Sequence, residues 1–157
     1  MNNPFLDGAL IALVTVFAME AVAYCVHRFV MHGVGWVLHR SHHEPRTGFW
    51  EHNDLFGILF AGISMAMISV SSAADQLFWV GIGMACYGLL YFLVHDGLVH
   101  RRFRFVGPPR SGYLSHLVRA HHMHHAVKTR DGAISFGFLY APPLASLSRV
   151  LRSRRGQ

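Results

Sequence analysis

Three apolar runs dominate the chain, from about Gly8 to Val26, from Leu55 to Ala74 and from Leu77 to Val94. Glu20 interrupts the first, and the other two carry no formal charge. Each approaches the roughly 20 residues that a helix needs to cross a hydrocarbon core. Only Asp75 and Gln76 separate the second run from the third, so these two read as a tight helical hairpin. The pattern predicts an all-α integral membrane bundle of about three transmembrane helices, in a single domain covering residues 1–157.

The polar remainder is organised too. Gly107-Pro108-Pro109 and Gly112 mark a breaker-rich loop, and a helix is expected from about Tyr113 to Val127. Residues 133–148 form a weaker fourth apolar stretch, broken by Pro142-Pro143 and followed by Arg149, Arg152, Arg154 and Arg155. Crossing the membrane there would carry those arginines to the wrong side, so the stretch is expected to be interfacial, re-entrant or packed on the bundle.

Charge supports the membrane reading. If the three runs cross, all 14 Lys and Arg residues fall on the face that holds residues 27–54 and 95–157. Cytoplasmic segments carry such an excess. That face is therefore assigned to the cytoplasm, and the protein to the cytoplasmic membrane. A net charge of +6 also suits nucleic acid, but basic residues trailing membrane spans have anionic lipid as their nearer partner. No nucleic-acid role is expected. The amino terminus lacks the basic residues of a cleaved signal, so the first span is expected to stay in place. Cys25 and Cys86 show no metal or redox spacing and read as small buried packing residues.

Histidine changes the picture from a bundle to a site. Ten of the 13 histidines fall into four clusters: His27-x4-His32, His39-x2-His42-His43, His95-x4-His100 and His121-x2-His124-His125. The two-cluster unit occurs twice, each time where an apolar run reaches the same membrane face. On a helix, residues three and four apart are neighbours, so each H-x2-H-H trio can offer several imidazoles to one centre. Five residues advance an α-helix by about 140°. The H-x4-H pairs therefore predict that a helix ends just beyond His27 and His95, with Gly33 and Gly97 as breakers, or that the paired histidines serve different metals.

Imidazole is the commonest protein ligand for first-row transition metals. Ten are too many for one ion, and a catalytic zinc keeps about three protein ligands. Two ions would receive about five each, one short of octahedral. That count suits iron with a position left for dioxygen, although imidazole alone also suits copper. His52, His116 and His122 lie outside the pattern and read as ordinary polar residues. Glu20, an ionisable group inside a span, is a functional suspect that could equally pair with an arginine or stay protonated. Asp96 and Glu44 adjoin clusters and could orient imidazole N–H groups, while Asp54 is expected to cap the second span.

Several stretches together resemble a known family. His27-Arg28-Phe29-Val30-Met31-His32-Gly33, Leu38-His39-Arg40-Ser41-His42-His43-Glu44-Pro45-Arg46, Asn53-Asp54-Leu55, Val94-His95-Asp96-Gly97-Leu98-Val99-His100 and residues 135–143 are similar to the bacterial β-carotene 3-hydroxylases. These belong to the membrane histidine-rich di-iron oxygenases of the fatty acid hydroxylase and sterol desaturase superfamily. The resemblance implies two non-haem irons held by the ten clustered histidines, with dioxygen as co-substrate. It implies hydroxylation at carbon 3 of a β-ionone ring, taking β-carotene through β-cryptoxanthin to zeaxanthin, with ketolated rings such as those of canthaxanthin as further substrates.

A carotenoid would enter from the bilayer, past a mouth that Phe29, Trp36, Tyr91 and Phe92 could line, though for any one of these interface anchoring and ordinary packing is the preferred reading. No dinucleotide fingerprint is present, since Gly81-Ile82-Gly83 lacks the third glycine and sits in a span. The resemblance therefore implies electrons from a separate donor, reduced ferredoxin supplied from NADPH. Other readings are a fatty acid or sterol hydroxylase or desaturase, a transition-metal transporter, and a haem electron-transfer subunit. A transporter would carry ligands nearer the membrane midplane, and a haem subunit needs fewer histidines.

Overall fold

The computed structural model describes residues 3–46, 48–103 and 107–155. Within these the regular structure is entirely helical. Helix α1 spans Pro4–Cys25 and continues as a π-helical segment, Val26–Val34, into α2, Trp36–His43. Helices α3, Asp54–Ser69, and α4, Gln76–Tyr91, form the hairpin, and α4 runs on through a second π-helical segment, Phe92–Val99. Helices α5, Gly112–His125, and α6, Leu144–Arg155, complete the order.

Two helical stretches, Pro4–Val34, kinked at Gly33, and Gln76–Val99, are long and apolar enough to cross a membrane. Helix α3 is apolar, but its 16 residues are fewer than the roughly 20 of a perpendicular crossing. Asn3 starts α1, its side chain accepting from the Phe5 N–H at 3.1 Å, with Pro4 at the first helical position. Helix α4 packs between α1 and α3, and glycine makes this close. A Cβ on Gly83 would stand 2.5 Å from Thr15 Cβ and 2.6 Å from the Ala12 carbonyl oxygen of α1. On the α3 side, Ser64 Oγ donates to the Gly81 carbonyl at 2.8 Å. The outward faces of these helices remain apolar and exposed, as at Leu10, Phe17, Ile58 and Leu89. Such a surface suits lipid rather than water.

Two expectations need correction. Cys25 and Cys86 are exposed, not buried. The stretch over residues 133–143 does not run as a helix, because glycine and proline keep it irregular, and it takes the packed form, one of its expected alternatives. It folds back instead, burying Ile134 and Ala141 in a small core with Leu117, Ala120 and Leu147 of α5 and α6. Asp54 is the first residue of α3 rather than its cap, and its carboxylate pairs with Arg102 at 2.7 and 2.9 Å.

The H-x4-H pairs provide the main correction. The helix widens past His27 and His95 before it breaks: Gly33 leaves helical geometry at φ −114° and ψ −121°, as expected of a breaker there, whereas Gly97 stays inside a segment that ends at Val99. Gly35 N–H donates to the Val30 carbonyl and His100 N–H to the His95 carbonyl, at 2.8 and 2.9 Å, both reaching five residues back. In that geometry a residue five along lies about one turn on and over the same face. The ring centroids of His27 and His32 are consequently 5.3 Å apart, and those of His95 and His100 4.5 Å.

Candidate metal centre

The four histidine clusters converge on one place, where they re-sort into two groups. His27, His32, His39, His43 and His124 form the first, and His42, His100, His121 and His125 the second, with nitrogens in each group within 4.8 Å of one another. His95 joins the second, its Nε2 lying 3.1 Å from that of His42. The groups adjoin: the His43 and His125 rings stack at 4.4 Å.

The sorting follows the repeated sequence unit. Each π-helical segment sends its pair to one group, and the following helix adds the two residues four apart, His39 and His43 or His121 and His125. The remaining histidine of each trio crosses over: His42 leaves for the second group and His124 for the first. His27, His32, His39, His42 and His43 thus correspond to His95, His100, His121, His124 and His125. Each half of the chain completes the other's group.

Hydrogen bonds fix which ring nitrogen faces inward. Nδ1 of His27, His32, His43 and His124 lies 2.7–2.9 Å from the carbonyl oxygens of Phe136, Arg130, Val127 and Ile134, respectively. Nδ1 of His39 lies 2.7 Å from Asn53 Oδ1. A carbonyl only accepts, so each Nδ1 must carry the hydrogen, and in a neutral imidazole Nε2 is then a bare lone pair. Yet the Nε2 atoms approach each other at 3.2 Å in the pairs His27–His39, His39–His43, His43–His124 and His32–His124. Such lone pairs cannot hydrogen bond with one another. A cation among them satisfies all five.

The second group shows the same demand. Nε2 of His100 and His121 are 3.1 Å apart, and Nε2 of His125 is buried with no hydrogen-bond partner. His42 Nδ1 donates to Glu51 at 2.7 Å and His95 Nδ1 to Asp96 at 2.8 Å. Burial keeps these rings uncharged. It pushes His39 down to about 3 and His43 to about 4, and it lowers His42, His100, His121, His124 and His125, in each case with help from neighbouring imidazoles. Burial also pushes the Glu51 carboxyl up, while Arg102 and Arg46 pull it back. Neutral, inward-facing imidazoles are what a transition metal requires.

Backbone geometry supports the carbonyl shell. Ser135 takes a left-handed conformation, φ 59°, which turns the chain so that the carbonyls on either side of it, of Ile134 and Phe136, both meet imidazoles. Glu20 anchors the same segment. Its Oε1 accepts from the backbone N–H groups of Phe138, Leu139 and Tyr140 at 2.9–3.0 Å, and its Oε2 accepts from the Tyr87 hydroxyl at 2.7 Å. Gly137 leaves room for this contact, since a Cβ there would stand 2.8 Å from Glu20 Oε1. So held, Phe138 stacks on His27 at 5.0 Å and meets the edges of His95 at 5.2 Å and Tyr91 at 4.7 Å. Trp36 covers His32 and His43 from the other side, at 5.1 and 5.2 Å.

Of the acidic neighbours, Asp96 orients an imidazole but Glu44 does not. It forms an exposed ion pair with Arg40. Glu51 and Asn53 do that work instead; Asn53 stood out only as part of the Asn53-Asp54-Leu55 resemblance and Glu51 not at all, because both belong to the polar stretch before α3 rather than to a histidine cluster. Glu20 holds backbone N–H groups, not an arginine. His52 and His122 are exposed, and His116 bonds the Ala141 carbonyl at 3.0 Å, away from both groups. Phe92 packs on Phe103, and Phe29 is exposed beside Arg28.

Comparison with known proteins agrees with this chemistry. The chain is 54% identical over 150 residues to the beta-carotene hydroxylase of Pantoea ananas, covering 95% of this chain and 86% of that protein. It is 53% identical over 153 residues to the beta-carotene hydroxylase of Pseudescherichia vulneris, covering 97% and 87%. Beta-carotene 3-hydroxylase 1, chloroplastic, of Arabidopsis thaliana is 38% identical over 130 residues, which cover 79% of this chain and 41% of that longer protein. No solved structure matches. The fatty acid hydroxylase family model matches residues 12–142, which include all 13 histidines, and the chain belongs to that family.

Proposed function

We propose that this chain hydroxylates carbon 3 of the β-ionone rings of β-carotene, forming β-cryptoxanthin and then zeaxanthin, as a membrane di-iron monooxygenase. The observation that carries the reading is the pair of converging, proton-free Nε2 clusters in a chain more than half identical to bacterial beta-carotene hydroxylases. In this reading His27, His32, His39, His43 and His124 hold one iron, and His42, His95, His100, His121 and His125 the other. Bound iron would supply activation of dioxygen, which an unactivated ring C–H requires and no side chain provides.

The chain's own residues do the rest. The carbonyls of residues 127, 130, 134 and 136, with Asn53, Glu51 and Asp96, fix the imidazole tautomers. Phe138 and Tyr91 stack on His27 and His95, respectively, and a carotenoid ring arriving from the bilayer is expected beside them, next to the histidines they cover. Phe138 touches His27 of one group and His95 and His121 of the other, so a ring held against it lies near both. Each turnover takes two electrons from a separate donor, for which we propose reduced ferredoxin. The basic face carrying Arg28, Arg130 and Arg154 suits an acidic partner. The excess of Lys and Arg supports a cytoplasmic position for the site in the bacterial inner membrane.

Expression in a β-carotene-producing bacterial strain, followed by pigment chromatography, tests the reading. The intact chain and His52→Ala should yield zeaxanthin, and His121→Ala should not. Equal activity of the two variants removes the ligand assignment. Modification of an acyl lipid or sterol with no hydroxylated carotenoid moves the substrate class.

A further inference from the structure

The histidines of the two groups correspond residue for residue, and the partners behind them do not. His27 donates to the Phe136 carbonyl, whereas its counterpart His95 faces Asp96. His124 donates to the Ile134 carbonyl, whereas its counterpart His42 faces Glu51. All five imidazoles of the first group rest on neutral oxygens.

Among the described residues, carboxylates bond directly to imidazoles of the second group and to none of the first. Arg102 closes this set, with its side chain 8% exposed. It reaches Asp54 at 2.7 Å, Asp96 at 3.2 Å and Glu51 at 4.0 Å. Arg46 stands 3.5 Å from Glu51. Three carboxylates, Glu51, Asp54 and Asp96, therefore face two guanidinium groups, which leaves one net negative charge. Near the first group Asp131 acts on His32 and Lys128 on His43, and Glu20 bonds the backbone of residues 138–140 and Tyr87 rather than an imidazole. Asp131 is 82% exposed, where water and salt screen it.

A carboxylate behind a ligating histidine raises the basicity of the imidazole, and a buried negative charge favours a more positive ion. From this asymmetry we propose that Glu51 and Asp96 are positioning residues that make the two metal positions inequivalent. The position built from His42, His95, His100, His121 and His125 binds a divalent ion more tightly and stabilises its oxidised state. The position built from His27, His32, His39, His43 and His124 is the weaker and the more easily reduced. This inference rests on the two-metal reading above.

Stepwise loading of the metal-free, full-length protein in detergent with ferrous iron tests it, followed by calorimetry and by Mössbauer spectroscopy on iron-57. Two separate binding steps and two quadrupole doublets are expected, filled in order. Glu51→Gln and Asp96→Asn should each weaken the tighter step by about 10- to 100-fold, the range seen when such outer partners are lost, and should shift only the doublet that fills first. Asn53→Asp places a carboxylate behind His39 and should tighten the weaker step. This variant leaves every partner of the second group in place, so it decides the matter even where loss of buried Glu51 prevents folding. A single step that loads two equal ions overturns the inequivalence and leaves the hydroxylase reading standing. So does a shift of both doublets by Glu51→Gln and Asp96→Asn alike. Binding of fewer than two ions overturns both.

Discussion

His42 and His43 are adjacent in α2, yet their imidazoles enter different groups, with ring centroids 6.4 Å apart and planes crossed at 81°. One residue turns an α-helix by about 100°, which is enough to aim neighbours at two centres lying side by side. Helix α2 is therefore a divider between the groups as well as a donor to each.

Replacing either residue should accordingly disable the centre in a different way. His42→Ala and His43→Ala should each cut xanthophyll formation by at least about 100-fold, the upper end of what loss of a mere outer partner costs. Metal analysis should find a different ion weakened in each. His122→Ala, on the exposed face of α5, should keep both ions and full activity.

Acid should act on the metal-free protein in a defined window. An imidazole whose folded value is lowered stays neutral where the unfolded chain would bind a proton, so the unfolded state is favoured as protons are added. The contribution is intact above the unfolded value of about 6.5 and is lost as pH falls toward the folded values, about 3 for His39 and about 4 for His43. Thermal unfolding of chelator-treated protein should thus be insensitive to pH from 7 to 8 and fall steeply from 6.5 to 4, expressed as approximate limits. Iron-loaded protein should resist further into acid and then release iron together with proton uptake.

Glu20 should prove structural before it proves chemical. Glu20→Ala strips acceptors from three backbone N–H groups and the Tyr87 hydroxyl, and should cost at least about 3 kcal/mol. Glu20→Gln keeps one carbonyl oxygen for the N–H groups and should cost about 1 kcal/mol. Denaturation in detergent measures both. Activity should fall in proportion to how far the 137–140 segment, and Phe138 with it, leaves the histidines.

The glycines of α4 should divide sharply. Gly83→Ala drives a methyl group into the Ala12 carbonyl and Thr15 of α1, and should destabilise the bundle by about 1–3 kcal/mol. Gly88→Ala meets nothing within 4 Å and should be neutral or slightly stabilising, because alanine favours helix. Thermal shift of the two variants side by side checks the contrast.

The sequence by itself determined the apolar helices and the clustering of the histidines. Uninterrupted apolar runs have few alternatives to helix in lipid, where every backbone group must bond internally. Ten histidines in a repeated spacing leave little chemistry other than metal binding. It could not reveal that the H-x4-H pairs sit on widened π turns. An i to i+5 bond and a helix end both bring such a pair together, and spacing does not separate them.

Only the tertiary structure decided which imidazole joins which group and what stands behind it. His27 bonds to a carbonyl 109 residues away and His43 to one 84 away, and side-chain identity says nothing about where a carbonyl points. The crossing of His42 and His124 likewise depends on how α2 and α5 meet. A proton's place on an imidazole follows from its partner's position in space, so the inward lone pairs appear only once the chain is folded.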